Sequence, residues 1–249
     1  MAEDNFAPPP PPPDDAFAQA PPPPPGPPYG GPTRPPIPWE QRDQLGFFPA
    51  LIETVKLFVT SPREAYERTP ASTGDYVGPI LYAVILAVIG GIFGFVYSTV
   101  LNTAMTLPFG GDANSALASG AGGFLGLILT PIFAVIGLFI GAGLLHLALQ
   151  VVGGLGESEA GFEGSVRTVA FASTAQLAQI VPIIGGIGAA IWALVFYVFG
   201  LAILHRTTEQ KAILAVVLLV TVCCVCIVGT VLIFGASIAG LAAAAGGGG

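Results

Sequence analysis

Charge is what this sequence has least of. Only 9% of its residues are Asp, Glu, Lys or Arg, while 53% are hydrophobic and the mean hydropathy is +0.77. Soluble domains carry about 25% charged residues, so this chain lacks the polar surface a soluble fold needs and reads as an integral membrane protein, with the lipid bilayer as its first partner. Basic clusters are missing as well: eight Lys and Arg are scattered over 249 residues, and the net charge is -7. That excludes a nucleic-acid face and a polybasic lipid patch. Cysteine is confined to Cys223, Cys224 and Cys226, inside one apolar run. The grouping excludes a disulfide framework and paired zinc half-sites, and it leaves these residues as small buried hydrophobes, with reversible acylation, which favours a cysteine nearer the interface, as the alternative.

Catalytic signatures are absent too. There is no HExxH, no GxSxG, no P-loop, and no GxGxxG in a strand-turn-helix setting, so no enzyme, no cofactor site and no metal site is expected. A secretory leader is not expected either, because "MAEDNFAPPP" has acids and prolines where a basic and an apolar region should stand. Insertion must then use internal spans.

What is present divides the chain into four parts. Residues 1–38 hold 17 of the 24 prolines, and residues 1–44 read as a disordered proline-rich arm of polyproline II character, a spacer or a ligand for an aromatic-groove partner. Residues 45–75 read as short amphipathic helices at the membrane interface. Phe48, Leu51, Ile52, Val55, Phe58 and Val59 recur at helical spacing opposite Glu53 and Lys56. Ser61, Pro62 and Glu64 then form a capping box that opens a second helix, which ends near Arg68 ahead of Pro70. Residues 76–236 read as a five-helix transmembrane domain with spans at about 77–101, 123–150, 167–182, 184–204 and 212–235, the second kinked at Pro131. Residues 237–249 are a low-complexity tail. The fold class is an all-α membrane protein.

The third span is short and carries Gln176 and Gln179, but charge placement supports it. With five crossings, all eight Lys and Arg (Arg34, Arg42, Lys56, Arg63, Arg68, Arg167, Arg206 and Lys211) lie on one side. By the positive-inside tendency that side is cytoplasmic, which puts the N-terminus inside and the C-terminus outside. The intramembrane polar groups are Gln176, Gln179 and His146. Interhelical hydrogen bonding is the expected role for them, and a path for a small neutral solute, as in a carrier or channel, is the alternative. Gly90 with Gly94, Gly122 with Gly126, and Gly137 with Gly141 allow close helix packing.

Three stretches resemble the Yip1 family of five-span membrane proteins, in particular its bacterial members. These are "FPALIETVKLFVTSPREAYERTP", with Ser61, Pro62 and Arg63; "GDYVGPILYAVILA", in which Asp75, Tyr76, Gly78 and Pro79 take the positions of a motif; and "VRTVAFASTAQLAQIVPIIGGIGAAIWALVFYVFGLAILHRTTEQKAIL". The sequence departs from the eukaryotic pattern at Val77 and Phe171. The resemblance implies a non-enzymatic protein that organises membranes or recruits partners, itself or other membrane proteins, through its cytoplasmic side. Eukaryotic members are implied to bind Rab GTPases in vesicle traffic, whereas bacterial members have no established activity. In a bacterium the resemblance implies the cytoplasmic membrane.

Overall fold

The structure is a computed structural model, and it describes residues 35–106, 113–155 and 159–246. Residues 1–34, which hold most of the expected proline-rich arm and Arg34, lie outside the described residues. Among the described residues every regular element is helical: a 3-10 turn at Pro38–Gln41, then α1 (Arg42–Leu45), α2 (Phe47–Thr60), α3 (Pro62–Glu67), α4 (Val77–Thr106), α5 (Ala113–Val151), α6 (Gly161–Ala172) running into a 3-10 segment Ser173–Ile180, α7 (Gly185–Leu204) and α8 (Glu209–Gly246).

Among the described residues four helices are long and apolar enough to cross a membrane: Val77–Ala104, Gly120–Val151, Gly185–Leu204 and Glu209–Leu232. Their large exposed side chains, among them Ile92, Phe133, Ile140 and Val225, form a lipid-facing surface. The expected third span takes another form. It is twelve α-helical residues followed by eight in 3-10 geometry, together about 34 Å at 1.5 and 2.0 Å per residue. This rod runs parallel to α4. Arg167 donates to the Asp75 carbonyl at 3.1 Å, Tyr82 Oη meets Thr174 Oγ1 at 2.7 Å, and Tyr97 Oη donates to the Ile180 carbonyl at 2.6 Å. From Val77 to Tyr97 α4 rises about 30 Å, and over the contacting stretch from Arg167 to Ile180 the rod rises about 24 Å.

The rod is also the centre of the bundle. Every residue from Glu163 to Ala172 is buried. Its polar side chains are therefore the ones that find partners. Gly90 and Gly94 of α4 lie against it: a Cβ at Gly90 would stand 3.0 Å from Gln176 Cβ, and one at Gly94 would stand 3.1 Å from Gln179 Oε1. The small residues of α4 are what let the glutamines lie flat there.

The ordered chain begins earlier than residue 45. Ile37 and Trp39, expected within the disordered arm, are fully buried. Local composition favours disorder there, but Trp39 donates its indole N–H to the Gly78 carbonyl at 2.8 Å and packs on Tyr82, burial that only the folded bundle supplies. An aromatic chain carries the contact onward: Tyr82 on Phe171, Phe171 stacked on Phe58 of α2 at 5.4 Å, and Phe58 on Tyr66 of α3 and Phe196 of α7.

Three other expectations change. Ser61 makes no side-chain cap; its carbonyl accepts from Ala65 N–H at 2.9 Å, and Glu64 pairs with Arg68 at 3.8 Å. Cys223, Cys224 and Cys226 are exposed on α8, because among the described residues α8 packs on the bundle through its first three turns, at Ala212, Ala215, Val216, Leu218 and Leu219. The helical backbone of α8 also continues through the expected tail to Gly246.

Where α6 crosses α7 the packing is tightest at Gly200. A Cβ there would meet Thr168 Cγ2 at 2.6 Å and Tyr66 Cε1 at 3.0 Å. Gly200→Ala should therefore lower stability by about 1–3 kcal/mol through overpacking, read as a fall in melting temperature in detergent.

Candidate functional site: a buried arginine clasp at the polar end of the bundle

Arg167 is a long cation with no exposed surface, set near the start of the central rod. A guanidinium in that position must have its donors satisfied, since an unpaired buried charge is very costly. Three separate stretches of chain satisfy it. Nε donates to Glu163 Oε1 at 2.9 Å, one turn back on α6, and Nη1 donates to Glu40 Oε1 at 2.7 Å, in the 3-10 turn before α1. Nη2 donates to Thr73 Oγ1 and to the Asp75 carbonyl, in the link before α4.

Glu163 is gripped in turn. It accepts from Ser72 Oγ at 2.6 Å, Thr73 N–H at 2.8 Å and Gly74 N–H at 3.1 Å. Burial pushes its carboxyl pKa up, but the hydrogen bonds from Ser72, Thr73, Arg167 and Gly74 outweigh this and hold it below the usual carboxylate range. Gly74 takes φ +75°, a left-handed conformation that glycine adopts freely, and so turns its N–H toward the carboxylate.

The motif residues Asp75, Tyr76, Gly78 and Pro79 come next. Asp75 Oδ1 accepts from Val77 N–H at 2.8 Å and Gly78 N–H at 3.3 Å, capping α4 in place of the missing first-turn acceptors. Its other oxygen lies 3.8 Å from Arg42, whose guanidinium sits over the Trp39 ring. Gly78 is the point of closest approach, because a Cβ would stand 2.9 Å from Asp75 Oδ2 and 3.0 Å from Arg42 Nη1. Pro79 is buried in the first turn, where no N–H is needed. Tyr76 is half-buried and packs, like Ile80, against the apolar cluster that includes Ala83, Leu145 and Val166.

Ser61, Pro62 and Arg63 lie at the same polar end but apart from the clasp. Pro62 opens α3, and Arg63 pairs with Glu209 at the start of α8 at 2.6 Å. Lys211 donates to the Gly153 carbonyl at 2.8 Å, so the α5–α6 and α7–α8 links also meet here. Of the intramembrane polar residues, Gln179 bonds Gln176 side chain to side chain. His146 stands away from both, with Nδ1 3.0 Å from Ser165 Oγ; Ser165 Oγ is also 3.0 Å from His205 Nε2. Burial, then the neighbouring His146, lowers His205 to a pKa of about 4, which keeps it neutral at ordinary pH.

Sequence reasoning missed Glu40, Glu163, Ser165, Arg167 as a hub, and His205. One signal was available: Glu163 and Arg167 at i, i+4 spacing, directly ahead of a run without charge. The long-range partners left no signal. The arrangement has a charged pair and hydroxyls but no nucleophile beside a base with open space for a substrate, and no group of three or more His, Cys, Asp or Glu among the described residues could hold a metal.

Arg167→Gln should cost about 3–5 kcal/mol, because Glu163 stays buried without its cation. Adding Glu163→Gln should recover a large part of that loss, a non-additivity that chemical unfolding in detergent can measure. A depressed carboxyl stabilises the fold above its unfolded pKa and loses that contribution as pH falls through the folded pKa. Stability of the wild type should therefore drop more steeply below about pH 4.5 than that of Glu163→Gln.

The comparisons with known proteins agree with this architecture. The family model described as "Yip1 domain" matches residues 55–246, from α2 through α8. No curated protein and no solved structure matches the chain. The matched stretch covers the central rod, the capped start of α4 and every apolar helix. This integral membrane protein belongs to the Yip1 family.

Proposed function

We propose that this protein is a non-enzymatic scaffold of the cytoplasmic face. It crosses the membrane five times and presents its N-terminal helices to protein partners, itself or others. The observation that carries the reading is the clasp: Arg167 joins the 3-10 turn before α1, the link before α4 and the central rod. A segment that only tethered an arm would not need this. Rigid fixation makes sense for a surface that must be presented in one orientation.

The five-pass reading is supported by the parallel run of the rod beside α4 and by its depth at Tyr97 and Ile180. It is supported also by the meeting of the three polar links at one end, through Arg63 with Glu209 and Lys211 with Gly153. By the positive-inside tendency that end is cytoplasmic and the C-terminus is outside.

The motif residues Asp75, Gly78 and Pro79 build the platform. The residues left for a partner are exposed charges on α2 and α3, including Glu53, Lys56 and Arg63. The apolar stripe of Phe48, Ile52 and Val59 is exposed on α2 and suits the bilayer interface.

Two experiments test the two halves of the proposal. In a background with the native cysteines replaced, Thr208→Cys should react with an impermeant maleimide only from the cytoplasmic side, and Ile183→Cys only from the outside. Cytoplasmic labelling at Ile183→Cys would mean that the rod is re-entrant. Crosslinking in native membranes should capture a partner that is lost, with insertion unchanged, when Glu53→Lys, Lys56→Glu and Arg63→Glu are combined. Undiminished capture would remove this face from the account.

A further inference from the structure

Within the bundle, α4, α5, α6 with its 3-10 continuation, and α7 enclose a cavity of about 230 Å³. Small residues from all four helices leave the space: Ala87, Ala134, Gly137, Ala172 and Ala193. None of its lining residues is charged. Gly137 and Phe133 on α5 are both lining and exposed, so the cavity opens toward the lipid-facing surface.

Three polar side chains border it: Ser173, Gln176 and Tyr197. Ser173 is turned to the Val169 carbonyl at 3.5 Å. Gln176 accepts from Gln179, while its own amide N–H groups reach no acceptor among the described residues. Tyr197, largely buried on α7, has a hydroxyl with no hydrogen-bond partner among the described residues. No fully enclosed side-chain nitrogen or oxygen among these residues lacks a partner, so this hydroxyl retains some open surface, on a residue that lines the cavity. In a membrane interior an unmet donor is expensive, and two beside one cavity point to an acceptor that arrives there.

Water alone fits poorly. A volume of this size holds roughly seven waters at about 30 Å³ each, which can bond one another but have only three polar side chains to anchor them. A charged ligand would meet no counter-charge. We propose that this cavity binds a neutral, bilayer-dissolved carbonyl compound, its oxygen accepting from Tyr197 Oη–H and the Gln176 amide and its apolar body lying against the alanines. The proposal is independent of the cytoplasmic docking face.

Benzophenone is a suitable probe, because it is a neutral ketone with an apolar body and labels neighbouring C–H bonds on illumination. The full chain in phosphatidylcholine nanodiscs should be labelled saturably on the cavity walls. At equal concentration in the bilayer, 2-undecanone should compete about 2- to 10-fold better than undecane for each hydrogen bond made. Tyr197→Phe removes an oxygen that makes no internal bond, so it should fold normally and narrow that preference by a similar factor, and Ala134→Leu should abolish the label by filling the space. Equal competition by ketone and alkane, an unchanged preference in Tyr197→Phe, or label confined to the outer surface of α8 would each overturn the proposal.

Discussion

A guanidinium enclosed by protein at the edge of a bilayer must bring its counter-ions with it, and the rest of this structure follows from how Arg167 does so. Water is not available to complete its hydrogen bonds, so each donor is met by a group on another part of the chain. Glu163 alone would have left the Nη donors unmet. Glu40 and Thr73 supply the remainder, and to do so the chain before α1 and the link before α4 must fold onto the start of α6. Polar satisfaction thus organises what hydrophobic burial cannot, since lipid is as apolar as the helices and gives them little reason to choose one neighbour over another.

The same rule explains why the most polar of the apolar segments lies at the centre. Ser165, Thr168, Thr174, Gln176 and Gln179 would each cost free energy facing lipid. Inside the bundle Ser165 meets His146 and His205, Thr174 meets Tyr82, Thr168 donates to the Gly164 carbonyl, and the glutamines bond each other against the glycine face of α4. The 3-10 stretch lengthens the rod by about 0.5 Å per residue over an α-helix, which gives a short segment nearly the reach of a long one. The lipid-facing helices can then be apolar nearly all round, as α5 and the outer part of α8 are.

Much of this was legible from the residues. Four of the five expected spans fall in helices that are long and apolar enough to cross a membrane among the described residues, and Phe48 to Val59 gave α2 through its spacing. The family resemblance rested on stretches that now build the clasp and the rod. What was hidden depended on distant partners. Trp39 and Glu40 follow a proline-rich stretch whose composition favours disorder, yet Gly78 and Arg167 order them. Ser61 and Glu64 have capping-box spacing, but Glu64 pairs with Arg68 and Ser61 contributes only its carbonyl to the start of α3. Cys223, Cys224 and Cys226 look like core residues, but they are exposed on a part of α8 that no described residue covers. His146 announced itself, whereas His205, 59 residues away, could not be paired with it from spacing.

If Arg167 is what makes the N-terminal helices part of the membrane bundle, amide hydrogen exchange on the full chain in nanodiscs will show it. The wild type should protect residues 47–67 nearly as strongly as α6. In Arg167→Met, protection should be lost across residues 36–74 while α4 and α7 keep theirs. Equal protection of the N-terminal helices in both proteins would contradict the account, because the aromatic chain through Phe58 and Phe171 would then suffice without the clasp.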